Sequence, residues 1–141
     1  MDMENNIKIL LDAHSINEGF ARMAAAAFSA QLDPTLEELA DIKTAISEAV
    51  TNAIIHGYEG KPGTVTLSMR ANNRLLTFIV TDEGRGIADI AKAMQPMFTS
   101  KPDLDRSGMG FTVMESFMDS LTVNSTPGHG TTVMMTKTIH G

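Results

Sequence analysis

The chain has 141 residues, 43% hydrophobic and 20% charged, the proportions of one globular domain, 1–141, with room for a sizeable core. A formal charge of −6 argues against a general nucleic-acid surface, which needs a basic stripe. With no cysteine there is no disulfide, thiolate metal site or cysteine nucleophile. No N-terminal run has the form of a signal peptide and none approaches a membrane span, so a cytoplasmic protein is expected.

Residues Ile7 to Ala13 read as a short apolar first strand. Ser15 with Glu18 has the spacing of a capping box and opens a helix that runs to about Gln31 through an alanine-rich stretch. Small side chains there allow close packing on a neighbouring helix or a second subunit. Asp33-Pro34 breaks the chain, and Thr35 with Glu38 makes a second capping box at the head of a longer helix. Gly57 ends that helix as a left-handed cap would. Its apolar stripe runs through Leu39, Ile42, Ile46, Ala49, Val50 and Ala53. Glu48, Asn52 and His56 recur every four residues and stack along one face. Turning ~100° per residue, the helix puts Glu48 nearly opposite the stripe and Asn52 on its flank.

Tyr58 to Gly63 is a loop. Thr64–Met69 and Leu75–Thr81 form a hairpin across Asn72-Asn73, the first strand half buried by its alternation. Phe78, Ile79 and Val80 are continuous and suit a strand covered on both faces; they lead straight into Asp82-Glu83-Gly84-Arg85-Gly86-Ile87. From Ala88 to Arg106 no strand pattern is evident, although Ala91–Met94 has the makings of a helical turn. A long irregular connection of this kind acts as a lid over a site. Ser107-Gly108-Met109-Gly110-Phe111 closes it and opens a helix from Thr112 to Met118. A last hairpin joins Leu121–Ser125 to Thr131–Thr138 through Pro127-Gly128-His129-Gly130. The order of elements gives a two-layer α/β sandwich, a mixed, mostly antiparallel sheet with helices on one face, and not a doubly wound parallel sheet.

Three motifs carry chemistry. A carboxylate and an amide one helical turn apart, Glu48 and Asn52, suit general-base work and oxygen ligation of a hard cation such as Mg2+; on this helix alone a solvated polar face is the simpler explanation. Asp82, at the end of a strand and directly before Gly84 and Gly86, can accept a hydrogen bond from an exocyclic amine while the glycines admit a planar base or sugar. An ordinary acidic turn has the same letters. Gly108 and Gly110 at a helix start expose unpaired amides that favour phosphate. The Walker-type loop, the six-residue dinucleotide fingerprint and the protein-kinase signatures are all missing.

Taken in order, Glu48-x-x-x-Asn52, Asp82-x-Gly84-x-Gly86 and Gly108-x-Gly110 resemble the three boxes of the Bergerat-type ATPases, which include gyrase, large heat-shock chaperones, mismatch-repair proteins and histidine kinases. Within that superfamily, residues 48–58, 82–87, 98–102 and 106–112, together with the run from Ala30 to Thr35, are similar to the sporulation anti-sigma F factors, serine kinases of endospore-forming bacteria. The likeness covers essentially the whole chain without a missing box.

The resemblance implies roles for particular residues. Asn52 would ligate the Mg2+ that bridges the phosphates of ATP, and Glu48 would take the proton from an incoming serine hydroxyl. Asp82 would hold the adenine amine, assisted by Thr131, with Gly84 and Gly86 flanking the base. Ser107, Gly108, Met109, Gly110 and Phe111 would wrap the phosphates. Arg106 would stabilise charge on the γ-phosphate during transfer, and Thr99 and Lys101 would contact nucleotide from the lid. Glu18 and Arg22 occupy positions that touch partners in the family, although at i,i+4 they equally make an ordinary helix salt bridge. His56 reads as a helix-end residue meeting the dipole. The implied partners are a sigma factor, an anti-anti-sigma factor phosphorylated on serine, and a second copy of the chain. A stress-response anti-sigma kinase and an ATP-gated sigma clamp without catalysis fit the same boxes. A detached histidine-kinase domain fits less well, because no helical segment presents a phosphoacceptor histidine.

Overall fold

A computed structural model describes residues 4–87 and 110–141. Five strands, β1 (Glu4–Asp12), β2 (Thr64–Asn72), β3 (Leu75–Asp82), β4 (Ser120–Thr126) and β5 (Gly130–Thr138), form one sheet in the order β1-β2-β3-β5-β4. All four pairings are antiparallel. Three described helices cover one face: α1 (Asn17–Ser29) over β2, α2 (Leu36–Asn52) over β3 and α3 (Gly110–Phe117) beside β4. Helix α2 lies between the other two. This is the two-layer α/β sandwich that the element order implies. The described helices are not apolar and long enough to cross a membrane.

Strand parity decides what the core contains. Val65, Leu67, Met69 and Ala71 of β2 and Leu76, Phe78 and Val80 of β3 are buried toward the helices, where they meet Ile42, Ala45, Ile46, Ala49 and Val50 of α2. Ile79 faces away from the helices and is only half-buried. The run Phe78-Ile79-Val80 therefore does not belong to a strand covered on both faces, since the described helices lie on one side only. The same parity has a chemical consequence: Asp82 is in phase with Leu76, Phe78 and Val80, and so ends β3 on the core side. The β2–β3 turn centres one residue later than the asparagine pair suggests, because Asn72 still pairs with Leu75 and Asn73 takes the left-handed conformation at φ 55°.

The head of α2 forms as expected. The Thr35 hydroxyl accepts from the Glu38 backbone N–H at 3.0 Å, and the Glu38 carboxylate accepts from Thr35 N–H at 2.9 Å. Glu38 also accepts from the backbone N–H of His140 (2.8 Å) and Gly141 (3.2 Å), tying the end of the chain to the helix. These bonds, His140's foremost, hold its carboxyl at about 2. The capping box at Ser15 and Glu18 does not form. The Glu18 carboxylate turns instead to Arg22, 3.0 Å away, and Ser15 meets Glu18 N–H only through its backbone carbonyl. A charged partner one turn down the helix outcompetes a neutral N–H.

At the other side of the helix layer, the buried Lys137 of β5 donates from Nζ to the Phe117 carbonyl at 2.7 Å and pairs with Asp41 of α2 at 3.6 Å. A cation on the last carbonyls complements the helix dipole and anchors the C-terminal end of α3 against α2.

Candidate active site

The site lies along the second half of α2. The helix does not stop at a left-handed Gly57. It widens after Asn52 into a π-turn over Ala53–Gly57, and the positive φ values come later, at Glu59 (52°) and Gly60 (82°). Single π-turns inside helices are rare and cluster at functional sites. Glycine is required at position 57 for closeness, not for a left-handed cap. A Cβ there would fall 2.8 Å from the Asp82 carboxylate, and Gly84 in turn rests on the Gly57 carbonyl.

Asp82 is 6% exposed. Its Oδ1 accepts from Gly84 N–H at 2.9 Å, and the backbone N–H of Thr131, its register partner on β5, adds a second bond. Desolvation outweighs both and raises the carboxyl above its ordinary value. Thr131, 8% exposed, shares a 2.8 Å hydrogen bond with Ser125 Oγ. Ser125 Oγ also donates to the Gly130 carbonyl at 3.0 Å and accepts from Ile87 N–H at 2.7 Å. The loop after Asp82 is thereby docked onto the β4–β5 hairpin. Gly86 completes the docking at φ 75°, where a Cβ would collide with the Thr126 carbonyl at 2.3 Å.

Earlier on α2, Glu48 and Asn52 are half-buried one helical turn apart. Gly110, the first residue of α3, lies so close to Asn52 that a Cβ would stand 2.6 Å from the amide Nδ2. The Asn52 amide and the start of a helix are thus side by side, an amide oxygen being a ligand type that suits a hard cation and a helix N-terminus a setting that suits an anion. Phe111, next in the chain, is buried in the core. At 1.5 Å per residue, Glu48 to Gly57 spans roughly 13 Å, the length scale of a nucleoside triphosphate.

The structure therefore brings together Asp82, Gly84, Gly86 and Thr131 at one end of the site and Asn52 with Gly110 at the other, Glu48 standing one helical turn before Asn52 and Phe111 following Gly110 into the core. Thr99, Lys101, Arg106, Ser107, Gly108 and Met109, with the lid from Ala88 to Arg106, lie outside the described residues. Glu18 and Arg22 are on α1, paired with each other. The solvent side of α1 carries Phe20 and Met23, which are exposed.

Residues 12–137 match the family model of the histidine kinase-like ATPase domain. The anti-sigma F factor of a Thermoanaerobacter species is 58% identical over 139 residues, 99% of this chain and 97% of its own. Those of Clostridium acetobutylicum (58% over 135 residues, 96% and 94%) and Bacillus licheniformis (54% over 136 residues, 96% and 93%) are similar to nearly the same extent. The chain belongs to the anti-sigma F factor family. As an anti-sigma F factor built on an ATPase domain, it binds nucleotide. Among solved structures, one holding the RsbU and RsbW domains of a Mycobacterium tuberculosis protein superposes with a TM-score of 0.69 at 22% identity, over 96% of this chain and 32% of that one. At that identity the likeness concerns the fold alone.

In the sequence Gly57 reads only as a helix cap, and Tyr58 and Ser125 carry no role in the site. Gly57 stands where a cap is expected and looks like one. Ser125 looks like a strand-end hydroxyl. Only the pairing of β4 with β5 beside Asp82 turns it into a support of the site.

Proposed function

We propose that this chain is an ATP-dependent protein serine kinase that also holds a sigma factor. In this reading Asn52 would hold a Mg2+ together with ATP, and Glu48 would accept the proton of an incoming serine hydroxyl. Asp82, with Thr131, receives the adenine amine between Gly84 and Gly86. The segment from Ser107 to Phe111 wraps the phosphates, with Arg106 on the γ-phosphate and Thr99 and Lys101 contributing from the lid. The metal supplies charge neutralisation between phosphate oxygens; the chain supplies orientation and the base.

The observation that carries this reading is the pair of close approaches along one helix: Gly57 against the Asp82 carboxylate and Asn52 against the start of α3. Their contact points on the helix, Asn52 and Gly57, lie roughly 8 Å apart at 1.5 Å per residue, which supports reading the carboxylate as acceptor for a base and the amide as a ligand on the phosphate side of the same nucleotide. Kinship with anti-sigma F factors supports a cytoplasmic sigma factor and an anti-anti-sigma factor as partners, and a homodimer as the working unit. Exposed Phe20 and Met23 near Glu18 and Arg22 support a protein-binding role for α1. Nucleotide identity then couples to partner choice through the γ-phosphate.

Incubation with γ-labelled ATP, Mg2+ and the anti-anti-sigma protein tests it. Label is expected on a serine of the antagonist. ATP binding without any transfer would leave a nucleotide-gated sigma clamp in its place.

A further inference from the structure

The last backbone pair that β3 makes with β2 is Asp82 with Val65, and the last with β5 is Asp82 with Thr131. Beyond that point the sheet no longer holds the chain, although the loop from Glu83 to Ile87 decides where the Asp82 carboxylate points. The first amide past the ladder, Glu83 N–H, donates to the phenolic oxygen of Tyr58 at 2.8 Å. The same hydroxyl donates to the Thr64 carbonyl at the start of β2, at 2.6 Å. One oxygen thus joins the end of the π-turn, the head of β2 and the loop after Asp82. Its ring is seated over Gly63, where a Cβ would lie 2.2 Å from Cε1, so the loop back to β2 leaves room for that ring only with glycine at 63. Arg85 adds two bonds from the same loop to the same turn, its N–H to the Gly57 carbonyl (2.8 Å) and its Nε to the His56 carbonyl (3.0 Å).

We infer that Tyr58 is a positioning residue for base recognition: its hydroxyl registers the Asp82 loop against α2 and so sets how well the site discriminates for the exocyclic amine. The inference rests on Asp82 as the adenine acceptor. Tyr58 does not touch the base; it acts through Glu83 and the backbone on the position of Asp82. Both groups it bonds are near solvent, so water can replace the hydroxyl in a variant and the fold survives. What water does not replace is the fixed distance between three chain segments.

The test uses Tyr58→Phe, which keeps the ring over Gly63 and removes only the hydroxyl. Affinity is measured for ATP and for purine riboside triphosphate, which lacks the amine. Loss of one or two ordinary hydrogen bonds corresponds to about three- to tenfold in affinity. That loss is expected for ATP alone, so that the ATP preference of the wild type falls toward one. A variant that weakens both nucleotides equally, or neither, overturns the inference while leaving Asp82 in its role. A wild type without preference, matched by Asp82→Asn, removes the Asp82 reading and the inference with it. Hydrogen exchange gives a second measure that needs no variant. The Glu83 amide of the wild type is expected to exchange slowly for a loop position, and free exchange there overturns the proposed link.

Discussion

The two ends of α2 solve opposite problems. At its head, Thr35 and Glu38 close a regular capping box, and Glu38 also gathers the backbone of His140 and Gly141. Every bond there is local or made to an exposed backbone, and its result is stability. At its tail the helix loosens into a π-turn, strips a side chain at Gly57, and pushes a buried carboxylate against the gap. The carboxylate at the centre of that arrangement is desolvated, which opposes its charge although two backbone N–H groups bond it. The head is built for stability and the tail for binding. Substitutions at the head should therefore move stability alone, and those at the tail should move nucleotide binding.

The largest effect is expected at the reacting end. Glu48→Gln keeps shape and hydrogen-bonding capacity but cannot take a proton, so phosphotransfer should fall by about 10²- to 10⁴-fold while ATP affinity stays near wild type. Transfer of label at an undiminished rate would remove Glu48 as base.

Asp82→Asn should show the opposed signs most plainly. A carboxylate whose native pKa is raised binds protons more readily folded than unfolded, so its ionised form costs stability as pH rises above the unfolded value. The neutral amide should raise the melting temperature at pH 7 and weaken ATP by about ten- to a hundredfold, the worth of a charge-assisted hydrogen bond. Thermal melts paired with nucleotide titration check both; a drop in both would mean the carboxylate is there for the fold.

Gly57→Ala places a Cβ 2.8 Å from that carboxylate. Overpacking of this order costs about 1–3 kcal/mol, and the displaced Asp82 should weaken nucleotide binding in the same variant. Urea melts and titrations would record the two losses together.

The smallest effect belongs to the head. Thr35→Ala should cost about 1 kcal/mol of stability and leave nucleotide affinity unchanged. The acid limb reports on the same place. Glu38 is held at about 2 against 4.5 when unfolded, so its contribution is complete above 4.5 and is lost as pH falls toward 2. Because the group is exposed, the contribution is modest. Wild type should lose more stability than Glu38→Ala across that interval, and equal losses would detach Glu38 from acid sensitivity.

The structure departs from the sequence reading where tertiary contacts override a local pattern. The Thr35 box was legible because its partners lie three residues apart. The box at Ser15 was legible too and does not form, because Arg22 offers Glu18 a charge. Gly57 had the right place for a cap and a different reason for being glycine. Strand parity was available for Asp82, since Leu76, Phe78 and Val80 step in twos toward it. The continuous apolar run around Ile79 hid that alternation.

The letters alone determined the order of strands and helices, the head of α2 and the three boxes, because each depends on spacings of a few residues and on side-chain chemistry carried within them. Whether Asn52 meets Gly110, whether Gly57 meets Asp82, and whether Ser125 and Tyr58 support the loop between them were decided only by the folded chain. Those contacts join residues 25 to 60 positions apart, and no local spacing encodes a distance that packing of helix on sheet creates.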